Sequence, residues 1–257
     1  MLTTEQLESW KKNGFLLIKQ FYTSEEQRII LQKTNEMENW DEIPGKWMKY
    51  YEKEVDEKNL TRIENYLDYD LALNSLLNGQ KVKNILKELM GEEAVLFKDK
   101  INFKKPGGGG FEPHQDAPAF AVFGQIYHIT ISVPVDQATL ENGCLEMSPG
   151  NHKGPLPKEE DGTLCRKLEK QLNWEPLKLE LGDIVFFDSY IPHRSHKNVS
   201  DKSRRAFFIT YNKSSEGDVR SRYYEEKRKA FPPDYEKVPG KDYSQNHYFN
   251  LGNPIKN

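Results

Sequence analysis

The chain has 257 residues, with 37 lysines and arginines against 40 aspartates and glutamates, which gives a formal net charge of −3. This balance lacks the strong positive charge of a nucleic-acid-binding surface, so we expect no nucleic-acid partner. The sequence shows neither a membrane-length apolar run nor the pattern of a signal peptide, so we expect no membrane association. The two cysteines, Cys144 and Cys165, are too few for a disulfide framework and favour a cytoplasmic location with reduced thiols.

The first part of the chain predicts helices. Capping boxes at Thr3 and Thr23 indicate the starts of two of them, because each threonine is followed three residues later by Gln or Glu. Two more helices are expected at about 68–77 and 79–90. Residues 40–60 are charged and irregular, so no element is predicted there.

From residue 94 the hydrophobic period changes to 2, which predicts strands. The first of these, 94–104, alternates polar with apolar residues, so its side chains are expected on two faces. The polar face is expected to carry Lys98, Lys100, Asn102 and Lys104, and the opposite face Val95, Phe97, Asp99, Ile101 and Phe103. Helices followed by antiparallel strands favour one domain over residues 1–257, of the α+β class, built on a β-sandwich or barrel.

His114 and Asp116 follow a run of four glycines at 107–110. On an extended segment, residues two apart project to the same side, so both side chains can reach one ion. His193, which follows an apolar strand, is the third candidate ligand. Two histidines and one carboxylate make up the facial triad of non-haem Fe(II) oxygenases, which leaves positions open for a cosubstrate and O₂. An isolated pair of this kind is more often two exposed turn residues, but the third ligand favours a metal site.

Arg204 lies eleven residues beyond His193, at the predicted start of a strand. The planar, permanently charged guanidinium suits the far carboxylate of a dicarboxylic cosubstrate, and Ser195 could add a hydroxyl. The alternative is a surface arginine, which is what we expect of Arg205 because it points to the other side of the strand.

These residues carry a family resemblance. The chain resembles the phytanoyl-CoA dioxygenase superfamily of Fe(II)/2-oxoglutarate oxygenases in the pattern His114-x-Asp116, Gly182-Asp183, His193 and Arg204, and in the segments ENGCLEMSPGNHKG and GDIVFFDSYIPHRS. The resemblance implies a double-stranded β-helix with flanking helices, a jelly-roll or cupin-like core. It implies Fe(II) bound by the two histidines and Asp116, and 2-oxoglutarate paired with Arg204. Related halogenases have Gly or Ala in place of Asp116, so the expected reaction is hydroxylation.

Three further segments resemble the organophosphonate branch of that superfamily: LFKDKINFKKPGGGGFEPHQDAPAF, RIENY at 62–66 and KDYSQNHYFNLGNPI. That branch hydroxylates 2-aminoethylphosphonate or its N-methylated relatives at the carbon next to phosphorus. A phosphonate is a compact dianion that needs cationic and amide donors. The candidate substrate residues are Lys98, Lys100, Arg62, Asn65 and Gln115, while Asn102 could serve substrate or 2-oxoglutarate. The alternative interpretation of these alternating lysines is that they protect an edge strand against aggregation.

The ammonium end of such a substrate would need aromatic rings or a carboxylate. The residues available for this role are Tyr66, Phe120, Tyr127, Tyr190 and Asp188. Residues of these types are more often part of a hydrophobic core than of a binding cage. Two other functions stay open: hydroxylation of another small molecule, such as an amino acid, an amine or a secondary metabolite, and non-catalytic binding by a cupin-like protein. The oligomeric state is not predicted.

Overall fold

The computed structural model describes residues 1–53, 58–243 and 249. The helices are α1 (Thr4–Asn13), α2 (Ser24–Glu38), α3 (Leu71–Leu77), α4 (Gln80–Met90), α5 (Ala117–Phe120), α6 (Arg166–Glu169) and α7 (Arg220–Ala230). The strands are β1 (Phe15–Ile18), β2 (Met48–Lys53), β3 (Lys58–Glu64), β4 (Ala94–Lys104), β5 (Phe111–His114), β6 (His128–Pro134), β7 (Leu145–Met147), β8 (Glu175–Leu177), β9 (Ile184–Asp188), β10 (His193–Ser195) and β11 (Arg204–Lys213).

The strands form two antiparallel sheets. The larger has the order β1-β9-β6-β11-β4-β3-β2, and the smaller has the order β5-β10-β7-β8. From β4 onward the chain alternates between them, with β7 and β8 counted as one hairpin, so that β4, β6, β9 and β11 lie in one sheet and β5, β7, β8 and β10 in the other. This winding is that of a double-stranded β-helix, and the predicted α+β class is confirmed.

The N-terminal helices begin where local sequence stabilises a helix start. The side chains of Thr3 and Thr23 each accept a hydrogen bond from the backbone N–H three residues on. The side chain of that third residue accepts one from the backbone N–H of the threonine, so both predicted capping boxes are confirmed. α3 begins at Leu71, later than predicted, because the side chain of Asp70 accepts from the backbone N–H of Leu73 at 2.9 Å. Across the described part of the chain, no helix is both long and apolar enough to cross a membrane.

Residues 40–60 contain more structure than the sequence predicts. β2 and β3 form a hairpin that extends the larger sheet, with Tyr50 opposite Arg62. Met48 and Tyr50 pack in a buried aromatic cluster, while the ammonium group of Lys49 donates to two backbone carbonyls. The expectation of an irregular segment is therefore wrong for its second half, because long-range pairing and carbonyl acceptors stabilise a strand rich in charged residues.

The two faces of β4 also differ from prediction in the segment before Lys98. The register with β11 shifts between Thr210 and Tyr211, which pair with Lys98 and Leu96 and leave Phe97 without a partner. Such a bulge breaks the alternation of side chains. Phe97 consequently packs on the ring of Phe120, over which the ammonium of Lys98 also lies. The predicted assignment of Phe97 to the face opposite the lysines is therefore wrong.

Asp99 joins three parts of the fold. Its carboxylate accepts from the backbone N–H groups of Tyr66 at 2.7 Å and Leu67 at 3.1 Å, just after β3. Arg220, at the start of α7, makes an ion pair with the other oxygen at 2.5 Å. The side chain of Asp99 is completely buried, so these partners replace all of its hydration.

Asp99→Ala is expected to lower the free energy of unfolding by about 3–5 kcal/mol, because it removes the buried partner of the Arg220 guanidinium and leaves two buried N–H groups unpaired. Guanidinium chloride denaturation measures this change. Asp68→Ala is the matched control, since Asp68 also pairs with Arg220 but its side chain is 58% exposed. We expect that exposed pair to contribute less than about 1 kcal/mol. Equal effects of the two substitutions would contradict this account of Asp99.

Candidate active site

The three predicted metal ligands meet between the two sheets. His114 ends β5 and His193 begins β10, and the two are direct cross-strand neighbours with ring centroids 4.2 Å apart. Asp116 follows two residues after β5, and its Oδ1 lies 3.8 Å from His114 Nε2. One ligand atom from each residue lies within 4.8 Å of the others. The strand pairing thus brings together residues that are far apart in the sequence.

Hydrogen bonds to the backbone orient both imidazoles. His114 Nδ1 lies 2.7 Å from the carbonyl of Glu112, and His193 Nδ1 lies 3.1 Å from that of Ile191. A proton held on Nδ1 leaves Nε2 free to bind a metal.

The protonation states of the triad also suit a cation. Burial, with His193 nearby, lowers the pKa of His114 to about 3. Burial likewise lowers the pKa of His193. For Asp116 burial opposes ionisation, but His193 and Lys98 hold its pKa below the usual value. Two neutral imidazoles and one carboxylate are the deprotonated donor set that a divalent transition metal needs, so the residues fit Fe(II).

A cavity adjoins the triad, with walls from both sheets. Its polar lining consists of Lys100, Asn102, Thr130, Ser195, Arg204 and Thr210. Its apolar lining consists of Phe111, Leu145, Phe187 and Phe208. Four of the predicted site residues outside the triad, Lys100, Asn102, Ser195 and Arg204, are therefore placed around one space beside it.

The Arg204 end of this cavity carries a buried positive charge, unpaired among the residues that the structure describes. Arg204 is only 4% exposed, makes no ion pair within the described ranges, and has a buried Nε without a hydrogen-bond partner. Burial lowers the pKa of its guanidinium to about 10. A buried cation without a counter-ion is costly, and a bound carboxylate would remove that cost.

Lys104 is a second cation at this end, and the sequence analysis did not select it. It lies opposite Arg204 in the β4–β11 pair. Its ammonium donates to Ser195 Oγ at 2.8 Å and to the carbonyl of His196 at 2.6 Å. Burial and Arg204 lower its pKa to about 6. Its position on the polar face of β4 was the signal that could have identified it.

A row of polar residues continues from the cavity across the larger sheet. Arg62 lies opposite Asn102, and Glu64 lies opposite Lys100, so these residues share one face. Three buried atoms in this row, Arg62 Nε, Arg62 Nη2 and Asn102 Oδ1, have no hydrogen-bond partner in the part of the chain that the structure describes. Such atoms are available to a ligand.

The two lysines of this row are enclosed without dedicated carboxylate partners. Burial lowers the pKa of Lys98, although Asp116 opposes the shift. Enclosure by the protein, followed by repulsion from Lys98, lowers the pKa of Lys100 to about 8. The ammonium of Lys98 lies 4.2 Å from the centroid of the Phe120 ring. Of the aromatic candidates, Phe120 thus lies on the lysine side.

Two predicted substrate residues are used elsewhere. Gln115 donates to the backbone carbonyls of Gly154 and Tyr190 and accepts from the N–H of Leu156 at 2.8 Å. Asn65 has a φ of +59°, donates to the carbonyl of Lys46 and accepts from Arg220. Neither lines the cavity, and their side chains instead hold loops in place.

Asp188 is likewise separated from the cavity. Phe187 lines the cavity, and its neighbour Asp188 projects to the opposite side of β9. Asp188 accepts hydrogen bonds from Tyr127 and from the backbone of Tyr190, and burial raises its pKa to about 6. Tyr66 packs on Phe207 in the main core. The idea that these residues form an ammonium cage is not supported by their placement.

The glycine run before His114 passes close to β10. A Cβ at Gly110 would lie 2.5 Å from the backbone oxygen of Ser195, so the chain can make this approach only without a side chain. Gly107 has a φ of +80° and donates its N–H to the carbonyl of Asn198. The glycine run therefore turns closely past the site.

Comparison with known proteins agrees with this geometry. The family model "Phytanoyl-CoA dioxygenase (PhyH)" matches residues 10–206. The chain is 52% identical to a 2-aminoethylphosphonate dioxygenase of the uncultured bacterium HF130_AEPn_1, over 99% of this chain and 98% of the relative. It is 38% identical to a methylphosphonate hydroxylase of Gimesia maris, over 90% and 88% of the two chains. EctD from S. alaskensis, crystallised with 2-oxoglutarate and 5-hydroxyectoine, superposes with a TM-score of 0.74 at 18% identity over 84% of this chain and 77% of that one. The double-stranded β-helix is thereby confirmed.

Proposed function

The chain belongs to the phytanoyl-CoA dioxygenase (PhyH) family, and from that premise we propose that it is an Fe(II)- and 2-oxoglutarate-dependent dioxygenase acting on a phosphonate. The proposed substrate is 2-aminoethylphosphonate or an N-methylated analogue, hydroxylated at the carbon next to phosphorus with release of succinate and CO₂. The observation that carries this proposal is the row of enclosed cations beside the His–Asp–His cluster.

His114, Asp116 and His193 would hold the metal. Bound Fe(II) would supply the activation of O₂ that couples oxidative decarboxylation of 2-oxoglutarate to hydroxylation of the substrate. Arg204, with Ser195 and Lys104 beside it, would bind the far carboxylate of 2-oxoglutarate. The enclosing strands exclude water, which strengthens each of these charge interactions.

The charges around the proposed substrate position favour a dianion. Lys98 and Lys100 are enclosed there without dedicated carboxylate partners, because Asp116 is assigned to the metal. The excess of two positive charges matches a doubly ionised phosphonate. Binding of the dianion would bring both lysines back to full charge, because an opposite charge favours their protonated form. A free amino acid or an amine lacks the double negative charge of a phosphonate.

Two further observations support a cytoplasmic location and a small-molecule substrate. Cys144 and Cys165 are both free thiols, which supports the proposed cytoplasmic location. The enclosed cavity suits a small-molecule substrate.

A substrate panel tests the proposal directly. With Fe(II), O₂ and 2-oxoglutarate, the protein is expected to form succinate and a product heavier by one oxygen from 2-aminoethylphosphonate or its trimethyl analogue. Methylphosphonate and an amine without phosphorus complete the panel, with mass spectrometry as the readout. Turnover of the amine without turnover of any phosphonate would favour the alternative hydroxylase, and no turnover of the two aminoalkylphosphonates would reject the proposed substrate.

Lys100→Met is expected to raise the KM for the phosphonate by about 10- to 100-fold, because it removes a charge-assisted hydrogen bond in an enclosed site. Lys105→Met is the matched control, since Lys105 is the next exposed lysine after β4. Steady-state kinetics at saturating 2-oxoglutarate measures both variants. An unchanged KM in Lys100→Met would remove Lys100 from the substrate site.

A further inference from the structure

A fully buried ion network lies behind the proposed substrate site. Its members are Arg62 and Glu64 on β3 and Lys227 on α7, whose exposed fractions are 3%, 1% and 1%. Glu64 Oε1 lies 2.9 Å from Arg62 Nε, and Oε2 lies 2.5 Å from Lys227 Nζ. The two oxygens of one carboxylate are thus divided between two cations.

This division determines what Arg62 can do. A carboxylate with both oxygens free commonly binds an arginine through two parallel hydrogen bonds. Here Lys227 occupies one oxygen, so Glu64 contacts Arg62 through Nε alone. That contact is an ion pair by distance, since neither Nε nor the buried Nη2 of Arg62 makes a hydrogen bond among the described residues. Nη2 has no carboxylate contact within these residues either, and Arg62 lies in the row that contains Asn102.

Aromatic rings fix the positions of both cations. The guanidinium of Arg62 lies 4.6 Å from the centroid of the Tyr50 ring and 5.9 Å from that of Phe231. The ammonium of Lys227 lies 5.7 Å from the ring centroids of both Tyr50 and Tyr223. Stacked in this way, neither cation can move far without losing contact with a ring.

A buried Lys–Glu pair is a poor way to gain stability. Apolar side chains of similar volume are often as stabilising, because two charges must lose their hydration. The mechanism that we have given for the metal and cosubstrate does not use Lys227. A role in setting the donor arrangement of Arg62 explains why a charge is buried at this position.

We propose that Lys227 is a positioning residue for substrate binding: by occupying one oxygen of Glu64, it leaves the Nη2 group of Arg62 free to donate to the phosphonate. α7 would in this way contribute to substrate affinity without touching the substrate. Loss of Lys227 would let Glu64 take both donors of Arg62. The inference rests on the proposed function, because it assigns the ligand of Arg62 as the phosphonate.

Kinetics of Lys227→Met tests the inference. The KM for 2-aminoethylphosphonate is expected to rise about tenfold, the effect of one hydrogen bond to a charged group, while kcat and the KM for 2-oxoglutarate stay near wild type. Lys229→Met, at an exposed position on the same helix, is the matched control and is expected to behave as wild type. Thermal melting verifies that each variant is folded.

A double variant separates positioning from simple structural damage. Glutamine at position 64 offers one acceptor oxygen and cannot bind both donors of Arg62. Lys227→Met combined with Glu64→Gln is therefore expected to recover most of the lost affinity, whereas a packing defect would become worse. Lys227→Gln, a second single variant, is expected to raise the KM less than Lys227→Met does.

The outcomes are distinguishable. If wild-type protein forms no succinate with any phosphonate, the proposed function fails. If wild type turns over 2-aminoethylphosphonate but folded Lys227→Met has an unchanged KM, the positioning role of Lys227 is wrong and the proposed function stands. A double variant weaker than Lys227→Met also overturns the positioning role.

Discussion

Alanine in place of Asp116 or His193 is expected to abolish 2-oxoglutarate decarboxylation, with kcat falling at least about 1,000-fold. Each substitution removes one of three side chains that meet within 4.8 Å of one another, and no other group of three or more possible ligands is found in the described residues. A catalytic metal supplies several kcal/mol of transition-state stabilisation, and about 4 kcal/mol corresponds to three orders of magnitude. Succinate formation measures activity, and anaerobic calorimetry with Fe(II) measures metal binding.

His196→Ala is the control for these two variants. His196 lies three residues from His193, but 64% of its side chain is exposed, and its Nε2 lies 3.4 Å from a carboxylate oxygen of Glu146. We expect the His196→Ala variant to bind Fe(II) and to decarboxylate 2-oxoglutarate like the wild type. Unchanged decarboxylation in Asp116→Ala and His193→Ala would remove the metal assignment and favour a non-catalytic binding protein.

Arg204→Leu is expected to raise the KM for 2-oxoglutarate by about 100- to 1,000-fold. The substitution leaves the far carboxylate of the cosubstrate without its main partner in a buried site, and an unpaired buried charge costs about 3–5 kcal/mol. Lys104 remains, but burial lowers its pKa to about 6, so it is a weak substitute near neutral pH. Kinetics at varied 2-oxoglutarate and saturating phosphonate measures the effect.

Arg205→Leu provides the comparison, since the neighbouring arginine points to the other side of β11. Its guanidinium bonds Asp136 and Glu38, at 2.8 and 2.7 Å. We expect the loss of these two ion pairs to reduce thermal stability. The KM for 2-oxoglutarate is expected to change less than about twofold, since both ion pairs are remote from the cavity. Similar KM values in the two arginine variants would show that Arg204 is not the cosubstrate residue.

Where short-range interactions dominate, the sequence was a sufficient guide. The capping boxes at Thr3 and Thr23 involve groups three residues apart, so the helix starts could be identified directly. The period-2 pattern of 94–104 predicted β4 with its bounds, because polar residues of one face alternate with apolar residues of the other. His114 and Asp116 share a side for the same local reason. His193 was selected as the third candidate ligand because it follows an apolar strand, and the family resemblance implied the same set; the membership itself is confirmed.

Long-range pairing was required for the rest. Charged residues in β2 looked irregular until hairpin pairing and backbone acceptors accounted for them. A one-residue bulge in β4, set by its register with β11, moved Phe97 to the side of the lysines. Most of the C-terminal segment KDYSQNHYFNLGNPI, one of the three stretches behind the substrate prediction, lies outside the described residues.

The sequence by itself determined the ligand types, the likeness to the family and the polar face that supplies the cations. Only the tertiary structure decided which of those polar groups line the cavity. Gln115 and Asn65 looked like donors, but backbone groups from distant loops occupy them. Lys104 and Lys227 were not selected as site residues, yet strand register and a C-terminal helix bring them to Ser195 and Glu64. The physical reason is that a hydrogen-bonding group serves whichever partner the fold brings within about 3 Å, and chain position does not specify that partner.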